Sequence, residues 1–384
     1  MSVDKELLST EIFRATIEFG IGSLSNLGKH TGEFNIDRLL IVTDEGIIKA
    51  GIIDKVIQQL DKMGVKHWIF YNVQPNPIDR NVMDGLEVYR KNDCDAILGV
   101  GGGSPIDVAK AIRFVAGHSG HISEHYGKAA TMEMPALIAI PTTSGTGTEV
   151  SRGGIITDTS DNRKKVVISG PPSLALLDPE LTLSMPPYLT AATGMDALSH
   201  SVEAYTSTRY NPLAGAVAIA GIKLVAENLR TAVANGADIE ARKNMAMAST
   251  MGALAFSKGL GAVHSLAHQL STEADMPHGV ANAIMLPHVM EFNLEAAAQK
   301  YADIAQAMGV DIQGMTVVEA AKASAESVRQ LSRDIDLPDR LSDAGVILEN
   351  IPVMAANAMA DHCHVLNARE CTEENMTAIY KEAF

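Results

Sequence analysis

Four side chains in this sequence, Asp196, His200, His264 and His278, have the makeup of a transition-metal site. One carboxylate with three imidazoles suits a divalent transition metal and does not suit calcium or magnesium, which take oxygen ligands. Asp196 and His200 stand four residues apart in ATGMDALSHSVEAY, which places both on one face of a helix. His264 lies in GLGAVHSLAHQLS and His278 in DMPHGVANAI, with His268 one helical turn beyond His264. Each residue also has a plainer reading. A lone helical histidine is most often hydrogen-bonded or at the surface, and Asp196, just after Gly194, fits a helix N-cap. His288 and the His362-Cys363-His364 run offer further imidazoles, so residue types and spacing leave sets containing His268 or His288 open. No HExxH is present, so a zinc-protease reading lacks its motif.

Two glycine-rich loops form a second constellation. GVGGGSPIDVAKAI runs from an apolar stretch through three glycines into a helix opened by Pro105. Glycines let backbone amides approach a phosphate, and a helix N-terminus adds partial positive charge. PTTSGTGTEV (141–150) supplies the hydroxyls of Thr142, Thr143, Ser144, Thr146 and Thr148 around Gly145 and Gly147. Neither loop is GxGxxG or a Walker loop. Two such loops at consecutive strand ends form one crevice in an open parallel sheet, which points to a dinucleotide. Asp44, closing RLLIVTD, is placed to accept from an adenosine ribose and to repel a 2'-phosphate, favouring NAD over NADP. Its plainer role is that of a turn aspartate.

These residues need elements to carry them. RLLIVTD (38–44), VKHWIFYNV (65–73), DAILGVGGGS (95–104) and PALIAIPTT (135–143) read as buried strands or strand ends. Helical runs at 51–64, near 79–92 and at 105–116 alternate with them. That alternation implies a parallel sheet covered on both faces. Beyond Met185-Pro186-Pro187 the chain reads as helix after helix, including 212–234, 241–256 and 295–309, with almost no strand signal. The expected fold class is therefore α/β, with an N-terminal parallel-sheet dinucleotide-binding domain (1–185) followed by an all-helical metal-binding and catalytic domain (186–384).

Bulk properties narrow the function. The chain has 384 residues, 46% hydrophobic and 20% charged, enough for two cores. A net charge of -15 offers no basic patch for nucleic acid or an anionic membrane. No uninterrupted apolar stretch of spanning length occurs, so no membrane span is expected. The N-terminal MSVDKELLSTEIFR lacks a basic region followed by an apolar run and does not read as a signal peptide. Three cysteines without a CxxC fit a reducing cytoplasm.

The motifs GGGSPIDVAK, PTTSGTGTEV, ATGMDALSHSVEAY, GLGAVHSLAHQLS and PHGVANAIMLPHV together resemble the iron-containing (group III) alcohol dehydrogenase family along nearly the whole chain. The resemblance implies a dehydroquinate synthase-like architecture. It implies that Asp196, His200, His264 and His278 bind one divalent metal, Fe2+ foremost, with Zn2+ or Mn2+ as alternatives. It implies NAD(H) contacts from Gly102, Gly103, Ser104, Thr142, Thr143 and Thr146, with Asp44, Asn76 and Lys165 lining the cofactor cleft. His268 matches a histidine beside the reacting groups that handles protons. Ser151, Phe256 and Cys363 match substrate-pocket positions. The expected reaction is reversible hydride transfer between NAD(H) and a small primary alcohol or aldehyde, in a cytoplasmic homodimer or higher homo-oligomer. Glycerol dehydrogenases and sugar-phosphate cyclases share the architecture and are the alternatives, ahead of a non-catalytic metal-binding protein.

The chain departs from the family at Gln269, where proline is common, and at Asn367-Ala368-Arg369, where NPR is common. The segment AFSKGLGAVH (255–264) is one residue shorter than in lactaldehyde-reductase-like members. These departures border the substrate pocket. Candidate substrates range from ethanol-like alcohols and 1,2- or 1,3-diols to 4-hydroxybutyrate and anionic aldehydes such as sulfoacetaldehyde, for which Arg152, Lys258 and Arg369 are candidate anchors.

Overall fold

A computed structural model describes residues 15–384, and the N-terminal segment read against a signal peptide lies outside them. The chain passes from one compact unit to a second between Ser184 and Met185.

The first unit is built on a six-stranded sheet. Its strands are β1 (Thr16–Phe19), β2 (Arg38–Val42), β3 (Lys66–Phe70), β4 (Ala96–Gly101), β5 (Ala136–Pro141) and, after a hairpin, β8 (Leu174–Leu177). The hairpin strands are β6 (Gly153–Asp158) and β7 (Arg163–Ile168), which pair antiparallel apart from the main sheet. The six main strands are all parallel, in the order β1-β8-β5-β4-β2-β3. Alternation along the strands serves both faces. Leu39, Ile41, Leu98 and Ile138 enter one core, and Leu40, Val42, Ile97 and Leu137 the other. Helices α1 (Leu27–Glu33) and α3 (Ile52–Lys62), on either side of the short α2 (Glu45–Lys49), contribute to the first core. Helices α4 (Asp79–Lys91) and α5 (Gly103–Gly117) contribute to the second. The chain steps from β2 to β3 on one side, while β4 lies on β2's other side. The carboxyl ends of β2 and β4 therefore flank a topological switch point, where open α/β sheets bind ligands.

The second unit is helical among its described residues. Its helices are α6 (Pro187–Thr206), α7 (Pro212–Ala234), α8 (Ile239–Ala255), α9 (Ala262–Glu273), α10 (His278–Ala307), α11 (Val317–Asp334), α12 (Ile351–Ala360) and α13 (Glu373–Glu382). One continuous core takes Leu198 from α6, Leu229 from α7, Leu266 from α9, Ile284 from α10, Val328 from α11 and Met354 from α12. The opposite face of α6 is left to its polar residues. Asp196 lies well inside α6, so the N-cap reading of this residue is corrected. Helix α7 is long and apolar enough by length and composition to cross a membrane. Lys223 and Glu227 interrupt its apolar run, which hid it from a search for an unbroken stretch, and its Ala218, Ile222, Val225 and Leu229 are buried inside the unit.

Candidate metal centre and cofactor loops

In the helical unit, three imidazoles converge on one carboxylate oxygen. Asp196 Oδ1 lies 3.7 Å from His200 Nε2, 3.7 Å from His264 Nε2 and 3.5 Å from His278 Nε2. Donor atoms sharing one cation at about 2.1 Å in a tetrahedral set are separated by about 3.4 Å, so the spacing fits a single transition-metal ion. The rings of His200 and His264 stack at 4.6 Å, while His264 and His278 tilt at 5.3 Å. His264 Nε2 is buried and makes no hydrogen bond, an arrangement that costs free energy unless another partner takes the lone pair. The donor set and this orphaned nitrogen both fit a divalent transition metal.

Helix placement explains the convergence. Asp196 and His200 share the inward polar face of α6. His278 opens α10, and the next residue must be glycine because a Cβ on Gly279 would sit 2.0 Å from the Ala192 carbonyl oxygen of α6. His264 is in the first turn of α9, whose free amides are capped by side chains. Asn367 Oδ1 accepts from Ala262 N at 3.2 Å, and Glu203 Oε1 accepts from Val263 N at 2.7 Å. The other oxygen of Glu203 bonds His264 Nδ1. That bond directs Nε2 toward Asp196, the arrangement by which buried carboxylates orient metal-ligating histidines.

Electrostatics follow from these contacts. Burial alone would raise the Asp196 pKa, but His200, His264 and His278 outweigh it and hold the carboxyl well below its usual range. Burial would lower the pKa of His264, but Glu203 and Asp196 outweigh it, so this spot favours a positive charge, which a bound cation would supply in place of a ring proton. Asn282, one turn after His278, donates to Asp196 Oδ1 at 2.7 Å and fixes the carboxylate from the α10 side.

His268 sits beside this group, not among its four members. It stacks on His278 at 5.3 Å, and its Nδ1 hydrogen-bonds Asp361 Oδ2 at 2.8 Å. Asp361 also accepts from Ser265 Oγ and from Cys363 N, and despite burial its pKa is lowered by His268. Cys363 is buried next to this pair. The Phe256 ring lies 5.0 Å from the His200 ring. His288 is elsewhere: burial and then Arg329 lower its pKa, and Glu291 opposes them.

In the α/β unit, the two glycine-rich loops follow neighbouring strands, with Gly101 paired to Pro141. A Cβ on Gly102 would meet Thr143 at 3.3 Å, and one on Gly103 would meet Thr146 at 3.0 Å, so the loops touch and leave little room for a side chain at the seam. Ser104 is in the first turn of α5. Thr142 is buried, and its Oγ1 has no hydrogen-bond partner. Asp44 closes β2 across the switch point and caps α2, accepting from Ile47 N at 3.0 Å through one oxygen. Asn76 has a left-handed backbone, φ 50°. Lys165, on β7, donates to Asp161 at 2.6 Å. Ser151 accepts from Lys110 Nζ at 2.9 Å. A bare glycine seam at a helix N-terminus beside a switch point fits a dinucleotide phosphate.

Glu203, Asn282 and Asp361 were not singled out from sequence. Glu203 follows Asp196 by seven residues and His200 by three, so one helical face carries all three. Asn282 stands four residues after His278. Asp361 lies 93 residues from His268 and has no local signal.

Comparison with known proteins agrees over most of the chain. Residues 15–179 match the family described as iron-containing alcohol dehydrogenase, and residues 190–384 match the C-terminal part of the Fe-containing alcohol dehydrogenase family. The 1,3-propanediol dehydrogenase of Klebsiella pneumoniae is 44% identical over 372 residues, 95% of this chain and 96% of the relative. An NAD-dependent methanol dehydrogenase of Bacillus methanolicus is 38% identical over 369 residues, covering 95% and 97%. A crystal structure of a 1,3-propanediol oxidoreductase superposes with TM-score 0.96 at 41% identity, covering 98% of this chain and all of the other.

Proposed function

Since this chain belongs to the iron-containing alcohol dehydrogenase family and is an NAD-dependent oxidoreductase acting on small alcohols or aldehydes, we propose that its physiological substrate is a short uncharged alcohol of the 1,3-diol type. Asp196, His200, His264 and His278 hold the divalent metal, with Fe2+ as the first candidate. The observation that carries this is the approach of three imidazole Nε2 atoms to one buried carboxylate oxygen. The metal, when bound, supplies Lewis acidity toward the substrate oxygen. Glu203 fixes the His264 tautomer, and Asn282 fixes Asp196. His268, held through Nδ1 by Asp361, accepts the alcohol proton at Nε2. NAD+, when bound, would supply the hydride acceptor, so that alcohol and NAD+ balance to aldehyde, NADH and the one proton taken up by His268. Gly102, Gly103, Ser104, Thr142, Thr143 and Thr146 hold the NAD(H) phosphates and nicotinamide arm, with Asp44, Asn76 and Lys165 along the same cleft.

Two features support an uncharged substrate. Lys258 Nζ donates to the Tyr205 carbonyl at 2.9 Å, and burial lowers its pKa to about 8. Arg369 stacks on Phe292 at 4.4 Å and donates to its carbonyl. Two of the three cations named as anchors for an anionic aldehyde, Lys258 and Arg369, thus have structural work, while Arg152 is exposed. The 44% identity to a 1,3-propanediol dehydrogenase points the same way. The test is an NAD-linked panel of 1,3-propanediol, 1,2-propanediol, ethanol, 4-hydroxybutyrate and isethionate at full metal loading. We expect kcat/KM for 1,3-propanediol to exceed both anions by at least about 100-fold, as befits a site that would leave a buried charge unpaired. A preference for either anion contradicts the proposal.

A further inference from the structure

We propose that Asp107, Lys110 and Thr148 form a buried positioning device for the cofactor loop, setting NAD(H) affinity without touching the cofactor. The inference rests on the reading of loop 141–150 as part of the dinucleotide site.

Lys110 lies on α5, fully buried, beneath that loop. Its ammonium has three donors and meets three acceptors: Thr148 Oγ1 at 2.7 Å, Ser151 Oγ at 2.9 Å and the Gly153 carbonyl at 2.7 Å. Thr148 Oγ1 in turn donates a hydrogen bond to Asp107 Oδ1 at 2.5 Å, and the other Asp107 oxygen accepts from Ile155 N at 3.0 Å. A single helical turn thus grips the loop's end and the start of β6. Gly154 makes the approach possible, since a Cβ there would stand 2.9 Å from the Asp107 carbonyl oxygen.

The grip reaches the phosphate seam. Thr148 N donates to Thr146 Oγ1 at 3.3 Å, and Thr146 is the residue packed against Gly103. Lys110, Thr148, Thr146 and Gly103 form one contiguous chain from the buried ammonium to the helix N-terminus. A surface loop is normally held by exchangeable contacts with water and is mobile. This one is held by a buried charge, and a buried charge that loses its partners is strongly disfavoured, so the arrangement has one stable geometry. Burial pushes Lys110 down to about 8 and Asp107 up, as expected of a pair sealed from water. Asp107, Lys110 and Thr148 themselves are not among the residues assigned above to metal, cofactor or substrate.

The test uses Thr148→Val, which keeps the volume and removes the bridging hydroxyl, with Thr148→Ser as the restoring variant and Lys110→Met as the stronger lesion. Two readouts are taken on the metal-loaded enzyme. Backbone hydrogen exchange without cofactor reports the loop directly, and titration with NAD+ reports affinity. We expect faster exchange across 142–153 in Thr148→Val, about tenfold weaker NAD+ binding, and kcat at saturating NAD+ within about threefold of wild type. Thr148→Ser restores both readouts. The proposal is overturned if exchange over the loop is unchanged in Thr148→Val and Lys110→Met, or if serine fails to restore what valine removes. It is also overturned if exchange rises evenly over the whole α/β unit, which marks general destabilisation. If wild type itself does not bind NAD+, the assignment of the loop to NAD(H) fails, while the exchange result still decides the positioning role.

Discussion

The metal cluster and the glycine seam hold their groups with opposite materials. In the helical unit the candidate ligands are side chains carried by α6, α9 and α10, and two of the four are braced by a further buried polar group: Glu203 behind His264, Asn282 behind Asp196. In the α/β unit the candidate contacts sit on two loops at strand ends, where backbone bared at Gly102 and Gly103 stands beside the hydroxyls of Ser104, Thr142, Thr143 and Thr146. A site built from side chains loses its function one residue at a time. A site built from backbone loses affinity in proportion to how far the loop moves. Substitutions in one unit should therefore separate cleanly from those in the other.

The largest effect is expected at the shared oxygen. Asp196→Ala removes the group on which all three imidazoles converge, and metal content by elemental analysis and kcat should both fall by at least about 1000-fold, on the scale seen when a reaction loses its electrostatic stabiliser. NAD+ affinity should stay within about twofold, because the glycine seam is untouched. Next comes Glu203→Gln, which retains the shape but not the charge behind His264. Metal affinity in competition with a chelator should fall about 10- to 100-fold. Gly103→Val tests the other side of the comparison. Its side chain collides with Thr146, so NAD+ binding should weaken about tenfold or more while metal content stays full. A loss of metal in Gly103→Val, or of NAD+ binding in Asp196→Ala, would break the separation.

The smallest effect is a pH dependence. Lys110 has a folded-state pKa of about 8, below the unfolded value of about 10.4. Its burial therefore costs stability in full below pH 8, and the cost is relieved as pH rises from 8 toward the unfolded value. Asp107 and Glu149 favour its charge, while Arg113 opposes it. Urea unfolding at pH 7.5 and 9.5 should show wild type gaining on Lys110→Met, by at most about 1.4 kcal/mol per pH unit. A constant difference would mean that Lys110 does not titrate in this window.

What was legible in the sequence follows the same division. Strands β2 to β5 and the helices after Met185 carried their own signals, as buried apolar runs and as 3.6-residue periodicity. The β6–β7 hairpin was not singled out, although its two β-branched runs flank Thr159-Ser160-Asp161-Asn162 and Asn162 takes the left-handed turn conformation. The glycine seam could be read because each loop is contiguous in sequence. The cluster was only partly readable. Periodicity tied Asp196 to His200, but the approach of α9 and α10 depends on long-range packing such as Gly279 against Ala192, and family resemblance was needed to choose among the histidines. Asp361 and Lys110 show the limit. A residue that acts through another side chain leaves no spacing of its own, and its role appears only when the fold brings the pair together.

The most direct test of the central claim is metal removal and restoration in the wild-type enzyme, with NAD-linked oxidation of 1,3-propanediol followed as NADH absorbance. Activity should fall in proportion to metal content on chelation and return on addition of Fe2+, with NAD+ affinity unchanged throughout. Full activity at less than about one-tenth metal occupancy would contradict the assignment of Asp196, His200, His264 and His278 as the reaction's metal centre.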